Sequence, residues 1–297
     1  MSHHSIEPNI RAEIMARLAE IERTHDVRVL FACESGSRGW GFASPDSDYD
    51  VRFLYVHPLP WYLSVGDQRD VIEQPVSTVF DVSGWELKKA LALLLNGNAT
   101  LIEWLDSPVV YRADVLFLAQ MHAAAAAVHR PDRGFHHYLH MAKRNFREHL
   151  QGDAIKLKKY LYVLRPVLAA MWIEQRTKRE SGHGVAQQGT LASGPPPMVF
   201  EQLVDALVQD AALKRAIADL LAIKRQMPES EMCAPIPPIQ EFLTRELVRL
   251  ESIAPPKDDL PDSAVLDRLL FETVTGKSHA EANSNVHDDD EWLSPFA

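Results

Sequence analysis

"ESGSRGWGFASPDSDYDVRFLY", residues 34 to 55, decides how the rest of this 297-residue chain is read. Gly36 and Ser37 are separated by residues 38–47 from Asp48 and Asp50. The stretch "DYDVRFLYV" (48–56) reads as a strand. Strands place alternate side chains on opposite faces, so Asp48, Asp50, Arg52 and Leu54 share one face and Tyr49, Val51, Phe53 and Tyr55 the other. Two carboxylates on one rigid face repel each other, and burying them is unfavourable unless something positive lies between them. A divalent cation would answer that need. Hard carboxylate oxygens, one or two per ion, are what Mg²⁺ takes when substrate phosphates complete its shell.

The flanking segments supply what such a cation would need. "VRVLFACE" (27–34) reads as a buried strand that ends at Gly36, where the chain can turn tightly. Backbone N–H groups at a following helix start can face phosphate oxygens, Ser37 offers a hydroxyl, and Arg38 adds positive charge. "VSTVFDV" (76–82) reads as a third strand with Asp81 at its end, the natural third carboxylate for a two-metal arrangement. Ser83-Gly84-Trp85-Glu86 then matches a capping box, Ser83 as N-cap and Glu86 at N3, opening a helix to about Leu95.

Helices are expected over residues 9–24 and 99–105, and from about 114 the pattern is helix after helix with no convincing strand: 114–128, 134–150, 154–176, 199–208, 210–226, 239–253 and 263–274. Residues 181–197, with four glycines and Pro195 to Pro197, read as a linker or a lid, and 254–262 as a second linker. The expected class is α+β: a small mixed-sheet domain over 1–112, an all-helical domain over 113–275, and an acidic, disordered tail over 276–297.

Composition narrows the classes of function. A net charge of −10 argues against indiscriminate coating of nucleic acid. The balance is uneven, since Lys143 to Arg165 contains seven Lys/Arg against two Asp/Glu, a local basic surface that suits a nucleotide or an RNA end. No apolar run approaches the roughly 18 residues of a membrane span, and "MSHHSIEPNIRAEI" lacks a signal-peptide core, so no membrane partner is expected. Two distant cysteines, Cys33 and Cys233, point to a reducing cytoplasm rather than a disulfide framework or a zinc site.

Gly-Ser, a spacer and Asp-x-Asp followed by apolar residues resembles the nucleotidyltransferases of the DNA polymerase beta superfamily. "GSRGWGFASPDSDYDVRFLYV", "DVSGWELKKALALLLNGNATLIEWLDSPVVY" and "KKYLYVLRPVLAAMWIE" resemble one branch of it, the RNA-ligase-associated, RNA-repair (RlaP-like) family, over about residues 28 to 250. The resemblance implies a Mg²⁺-dependent nucleotidyltransferase using two metal ions and an NTP, with pyrophosphate leaving and an RNA 3′ end as one acceptor. It implies that Gly36 and Ser37 bind the triphosphate and that Asp48, Asp50 and Asp81 bind metal, Asp81 also activating the acceptor. A small molecule or a protein hydroxyl remains an alternative acceptor, and a non-catalytic nucleotide or RNA binder the alternative from another class.

Other residues have plainer readings beside sharper ones. In "KLKKYLYVLRPVLAAMW" (156–172), Leu157, Leu161, Leu164 and Leu168 form a packing stripe, while Lys159, Tyr162 and Arg165 on another face are candidate nucleotide contacts, with Lys159 first and Arg165 second. Pro166 is expected to kink that helix. His136 and His140, at i and i+4, read as a surface or RNA-facing pair, since no Cys or HExxH pattern accompanies them. Trp40, Trp85 and Trp104 read as core, and Cys33 as an inert strand residue.

Overall fold

Every side chain of β1 (Arg28–Glu34) after Arg28 is buried, as suits a strand in the interior of the sheet. β2 (Tyr49–Val56) pairs antiparallel with one edge of β1, and β5 (Val110–Ala113) pairs antiparallel with the other. β4 (Phe80–Glu86) runs parallel to β2, and the short β3 (Val71–Glu73) lies antiparallel on its outer edge. The sheet is therefore mixed, five-stranded and ordered β3-β4-β2-β1-β5. This computed structural model describes residues 6–75, 77, 79–180, 194–253, 257 and 259–277.

Alternation along β2 sorts its side chains into two cores. Val51, Phe53 and Tyr55 pack with Ile14, Leu18 and Ile21, the apolar stripe of α1 (Pro8–His25). Leu54 and Val56 point the other way, into a core shared with α4 (Leu87–Leu95), α5 (Ala99–Leu105), α6 (Val115–Ala127) and α12 (Ala264–Thr275). The expected stripe of Leu87, Leu91 and Leu94 is buried there. A third core joins α7 (Pro131–His149), α8 (Leu157–Glu180), α9 (Phe200–Leu207), α10 (Ala211–Lys224) and α11 (Pro237–Glu251) around Leu161, Leu164 and Leu168. Each fully buried side chain of that size contributes about 1.5–3 kcal/mol of transfer free energy. The fold is of the α+β class expected, with a small mixed sheet, but α6 and α12, from the segment expected to be a separate helical domain, pack into the sheet's core.

Several local expectations are corrected. Ser83 does not cap a helix. Ser83, Gly84 and Trp85 continue β4, and Glu86 is the N-cap of α4, its carboxylate accepting from the Lys89 N–H at 3.2 Å. The reason lies at Gly84, which pairs with Phe53. A Cβ there would stand 2.2 Å from the Phe53 ring, so this glycine serves a close approach between strands and breaks nothing. β3 and β5 were not foreseen because three and four residues are too few to show a period. The helical half also contains a strand pair, β6 (Ile155–Lys156) with β7 (Met232–Cys233), against the expectation of no strand beyond residue 114. The tail from 278 and residues 181–193 of the linker or lid lie outside the described residues. Among the described residues no helix is long and apolar enough to cross a membrane.

Candidate active site

The turn after β1 and the start of β2 meet because the two strands are antiparallel neighbours, with Glu34 opposite Val51. The Ser35 N–H donates to the Asp50 carbonyl at 2.8 Å. Gly36 opens the one-turn helix α2 (Gly36–Gly39) at φ +57°, and a Cβ there would lie 2.0 Å from Asp50 Oδ2. Both observations require glycine: the left-handed backbone favours it, and the Asp50 carboxylate occupies the space of a side chain. Ser37, the next residue, is buried. The Gly-Ser and Asp-x-Asp blocks are thus in direct contact.

Asp50 on β2 is paired in register with Asp81 on β4. Strands in register carry paired residues on the same face, about 4.8 Å apart. One guanidinium joins the two carboxylates. Arg52 Nη2 lies 2.7 Å from Asp81 Oδ2 and 3.4 Å from Asp50 Oδ1, while Nη1 donates to the carbonyls of Asp81 (2.9 Å) and Val51 (3.1 Å). Burial pushes the Asp50 carboxyl up to about 6. Arg52 opposes that shift, and the charges of Asp81 and Asp48 add to it. Arg52 was on the same strand face as Asp48 and Asp50 in the alternation, and its side-chain charge was the signal of a partner.

Behind Asp50 sits a second carboxyl, Glu34, at the end of β1 and fully buried. Its Oε1 accepts from the Asp50 N–H at 2.8 Å, and Tyr111 on β5 donates its hydroxyl to Oε2. Burial pushes this carboxyl up to about 7, with the Tyr111 and Asp50 hydrogen bonds pulling the other way. Glu34 therefore holds the Asp50 backbone from beneath. An acid ending an otherwise apolar strand was the sequence signal for it.

Asp48 is exposed and precedes β2. Arg38 fixes the chain there: its Nε donates to the Asp48 carbonyl at 3.0 Å and its Nη2 to the Ser47 carbonyl at 2.6 Å, over the Tyr49 ring at 3.9 Å. Those contacts make Arg38 a brace for the turn that presents Asp48. The same turn is gripped from the helical half. Glu229 accepts from Ser47 Oγ at 2.6 Å and pairs with Lys158 and Lys224, Lys224 Nζ also donates to Ser44 Oγ, and the Glu229 N–H donates to Asp46. Glu229 lies in an irregular segment with no pattern to mark it.

The α8 candidates separate. The Tyr162 phenol is pushed up by burial and then by the charges of Glu229, Asp50 and Asp48, and its ring lies edge-on to Trp40 with centroids 5.9 Å apart. Lys159 lies 5.4 Å from the Tyr162 ring centroid, with Nζ 3.0 Å from His149 Nε2. Burial and then the neighbouring charges of Lys158 and Lys156 lower its pKa. Arg165 is not brought to the carboxylate cluster. It is 3% exposed, with Nη1 2.8 Å from Glu103 Oε1, further hydrogen bonds to the Met198 carbonyl, and the Trp40 ring 4.7 Å away. Tyr138 and Trp40 also donate to Glu103, at 2.6 and 3.4 Å. Arg165 thus ties α8 to α5 inside the protein. Trp104 is buried against Trp85, and Cys33 is fully buried with its thiol pushed up chiefly by burial, as read from the sequence. His136 and His140 lie with ring centroids 6.2 Å apart.

Whether the acidic face suits a metal ion can be judged from the donors. Asp50 and Asp81 offer hard oxygens that already converge on one cation, the Arg52 guanidinium, and Asp48 lies within electrostatic reach. Among the described residues no three His, Cys, Asp or Glu side chains are gathered closely enough to hold one ion. The donor chemistry fits a hard divalent cation.

The sequence model of the RNA repair pathway DNA polymerase beta family (RlaP) matches residues 10–272. The chain is 39% identical over 269 residues to the uncharacterized protein YcgL of Bacillus subtilis (strain 168), covering 89% of this chain and 96% of that protein. Among solved structures, it is similar to a nucleotidyltransferase-like protein from Exiguobacterium sibiricum 255-15 at a TM-score of 0.30 and 13% identity, over 95% of this chain and 81% of that one.

Proposed function

The chain belongs to the RNA repair pathway DNA polymerase beta family, and from that premise we propose that it moves a nucleoside monophosphate from an NTP to a hydroxyl acceptor. The acceptor oxygen attacks the α-phosphorus, the bond from that phosphorus to the β-phosphate oxygen breaks, and pyrophosphate leaves. Asp48, Asp50 and Asp81 would hold Mg²⁺, which supplies charge neutralisation at the reacting phosphate. Asp81 takes the proton of the attacking hydroxyl. Gly36 and Ser37 meet the β and γ phosphates, and Lys159 is placed beside Tyr162 to add positive charge at the rim. The acceptor we favour is an RNA 3′ end, in keeping with the family's description. Both cysteines are free, which suits a reducing, cytoplasmic setting.

One observation carries the reading: Asp50 and Asp81 stand side by side on parallel strands, and the Gly36 backbone lies against the Asp50 carboxylate where no side chain would fit. The test incubates the protein with α-labelled NTPs and Mg²⁺ in the presence of total RNA, protein and small hydroxyl compounds. Label is expected on RNA with the wild type and on nothing with Asp48→Ala/Asp50→Ala. Equal transfer by the double variant would reject the site, and absence of transfer to every acceptor would reject the enzymatic reading.

A further inference from the structure

Arg52 poses a problem for any cation that is to join Asp50 and Asp81, because its guanidinium already does so. The fork is held at four points. Nη2 meets Asp81 Oδ2 and Asp50 Oδ1, and Nη1 donates to the Asp81 and Val51 carbonyls. Its side chain is 17% exposed, against 26% and 35% for the two carboxylates, so the pairs are partly shielded from water. A guanidinium is planar and rigid. Nη2 cannot leave the carboxylates by a rotation that keeps Nη1 on both carbonyls, so releasing them means moving the whole head group.

We propose that Arg52 is a positioning residue that acts as the site's resident cation. In the metal-free protein it holds Asp50 and Asp81 together against their mutual repulsion, and a metal ion loads only by displacing it. This rests on the metal-binding reading given above. The consequence is a threshold. A divalent ion must outcompete an arginine tethered two residues from one of its ligands, so the protein binds metal more weakly than its acidic face alone would. The position is built in by the fold: β2 carries Asp50 and Arg52 on one face, and the parallel register brings Asp81 to the same spot.

The test reads metal binding rather than turnover. The full chain is titrated with Mn²⁺ alone, free Mn²⁺ being followed by electron paramagnetic resonance, for the wild type, Arg52→Gln, Arg52→Lys and Arg52→Gln/Asp81→Asn. Arg52→Gln removes the competing charge and is expected to bind Mn²⁺ on the order of tenfold more tightly. Arg52→Lys keeps the charge but loses the fork, and should fall between that variant and the wild type. The double variant should lose the gain. If the folded Gln and Lys variants bind Mn²⁺ no more tightly than the wild type, Arg52 is not a competitor and the inference is overturned. Should the Gln variant fail to fold, the Lys variant alone must still bind more tightly than the wild type. If no protein binds Mn²⁺, even with an NTP added, the metal reading itself has failed and this inference falls with it.

Discussion

Arg165 and Arg52 each hold carboxylate oxygens at 2.7–2.8 Å, in opposite surroundings. Arg165 is 3% exposed and meets one acid, Glu103, which Tyr138 and Trp40 also serve. The charges balance, the polar atoms are met, and the network spans α5, α7, α8 and the Trp40 turn. Arg52 meets two acids of like charge, and the three side chains stay 17%, 26% and 35% exposed. The first arrangement has nothing further to bind. The second has an excess of negative charge that a stronger cation could use. Burial and charge balance, rather than the presence of an Arg–carboxylate pair, separate a brace from a site.

The largest effect should come from breaking the brace. Glu103→Ala leaves Arg165 buried without its carboxylate and is expected to destabilise the fold by about 3–5 kcal/mol. Urea denaturation measures this, and a loss below about 1 kcal/mol would show that Arg165 finds other partners. The corresponding change in the open site should act on chemistry instead. Asp81→Asn is expected to lower nucleotidyl transfer about 10²- to 10³-fold, or about 3–4 kcal/mol in barrier height, while its denaturation midpoint moves little, since Arg52 keeps Asp50 and both carbonyls. A variant that unfolds but, when folded, retains activity would invert the comparison.

A smaller effect is expected where the Gly36 backbone meets the Asp50 carboxylate. Gly36→Ala puts a side chain at φ +57° and 2.0 Å from Asp50 Oδ2. Left-handed strain adds about 1–3 kcal/mol, and Asp50 must move. Transfer activity should fall with stability, in contrast to Asp81→Asn, and a crystal structure of the variant should show the displaced carboxylate. Full stability with full activity would mean that the turn relaxes freely.

How much of this could be read in the amino-acid sequence follows from the range of the forces involved. The shared face of Asp50 and Arg52 is a property of any strand, so the alternation in "DYDVRFLYV" contained it. The helices of the second half were legible because apolar residues recur in them at helical spacing, as Ile239, Leu243, Leu247 and Leu250 do in α11. Gly84 was misread because a glycine that admits a neighbouring ring looks, in one dimension, like a glycine that ends a strand. β5 was too short to show a period. The Arg165–Glu103 brace joins residues 62 positions apart, and nothing local at either end names the other. Arg165, read as a ligand for a nucleotide, has the right charge but the wrong burial, and burial is decided by tertiary packing.

The clamp on the Asp48 turn falls between the two arginine sites and should respond to acid. Burial pushes the Glu229 carboxyl up, but the hydrogen bonds from Lys158 and Ser47, with the Lys224 charge, outweigh it and bring it from its ordinary 4.5 down to about 2. A carboxyl whose folded pKa lies below its unfolded value stabilises the protein fully above the unfolded value, and the contribution is lost as the pH falls from about 4.5 towards 2. The group is partly open to water, so the discounted contribution is about 1–2 kcal/mol. Glu229→Gln should lose that amount at pH 7 and show a shallower decline in stability below pH 4.5 than the wild type. The two proteins should converge near pH 2, where the wild-type carboxyl is also losing its charge. Parallel stability curves across this range would mean that the Lys158 and Lys224 pairs contribute no more than solvated surface charges. The turn that presents Asp48 would then be held by Arg38 and by hydrogen bonds such as Ser44 Oγ to the Lys224 carbonyl, rather than by the charge of Glu229.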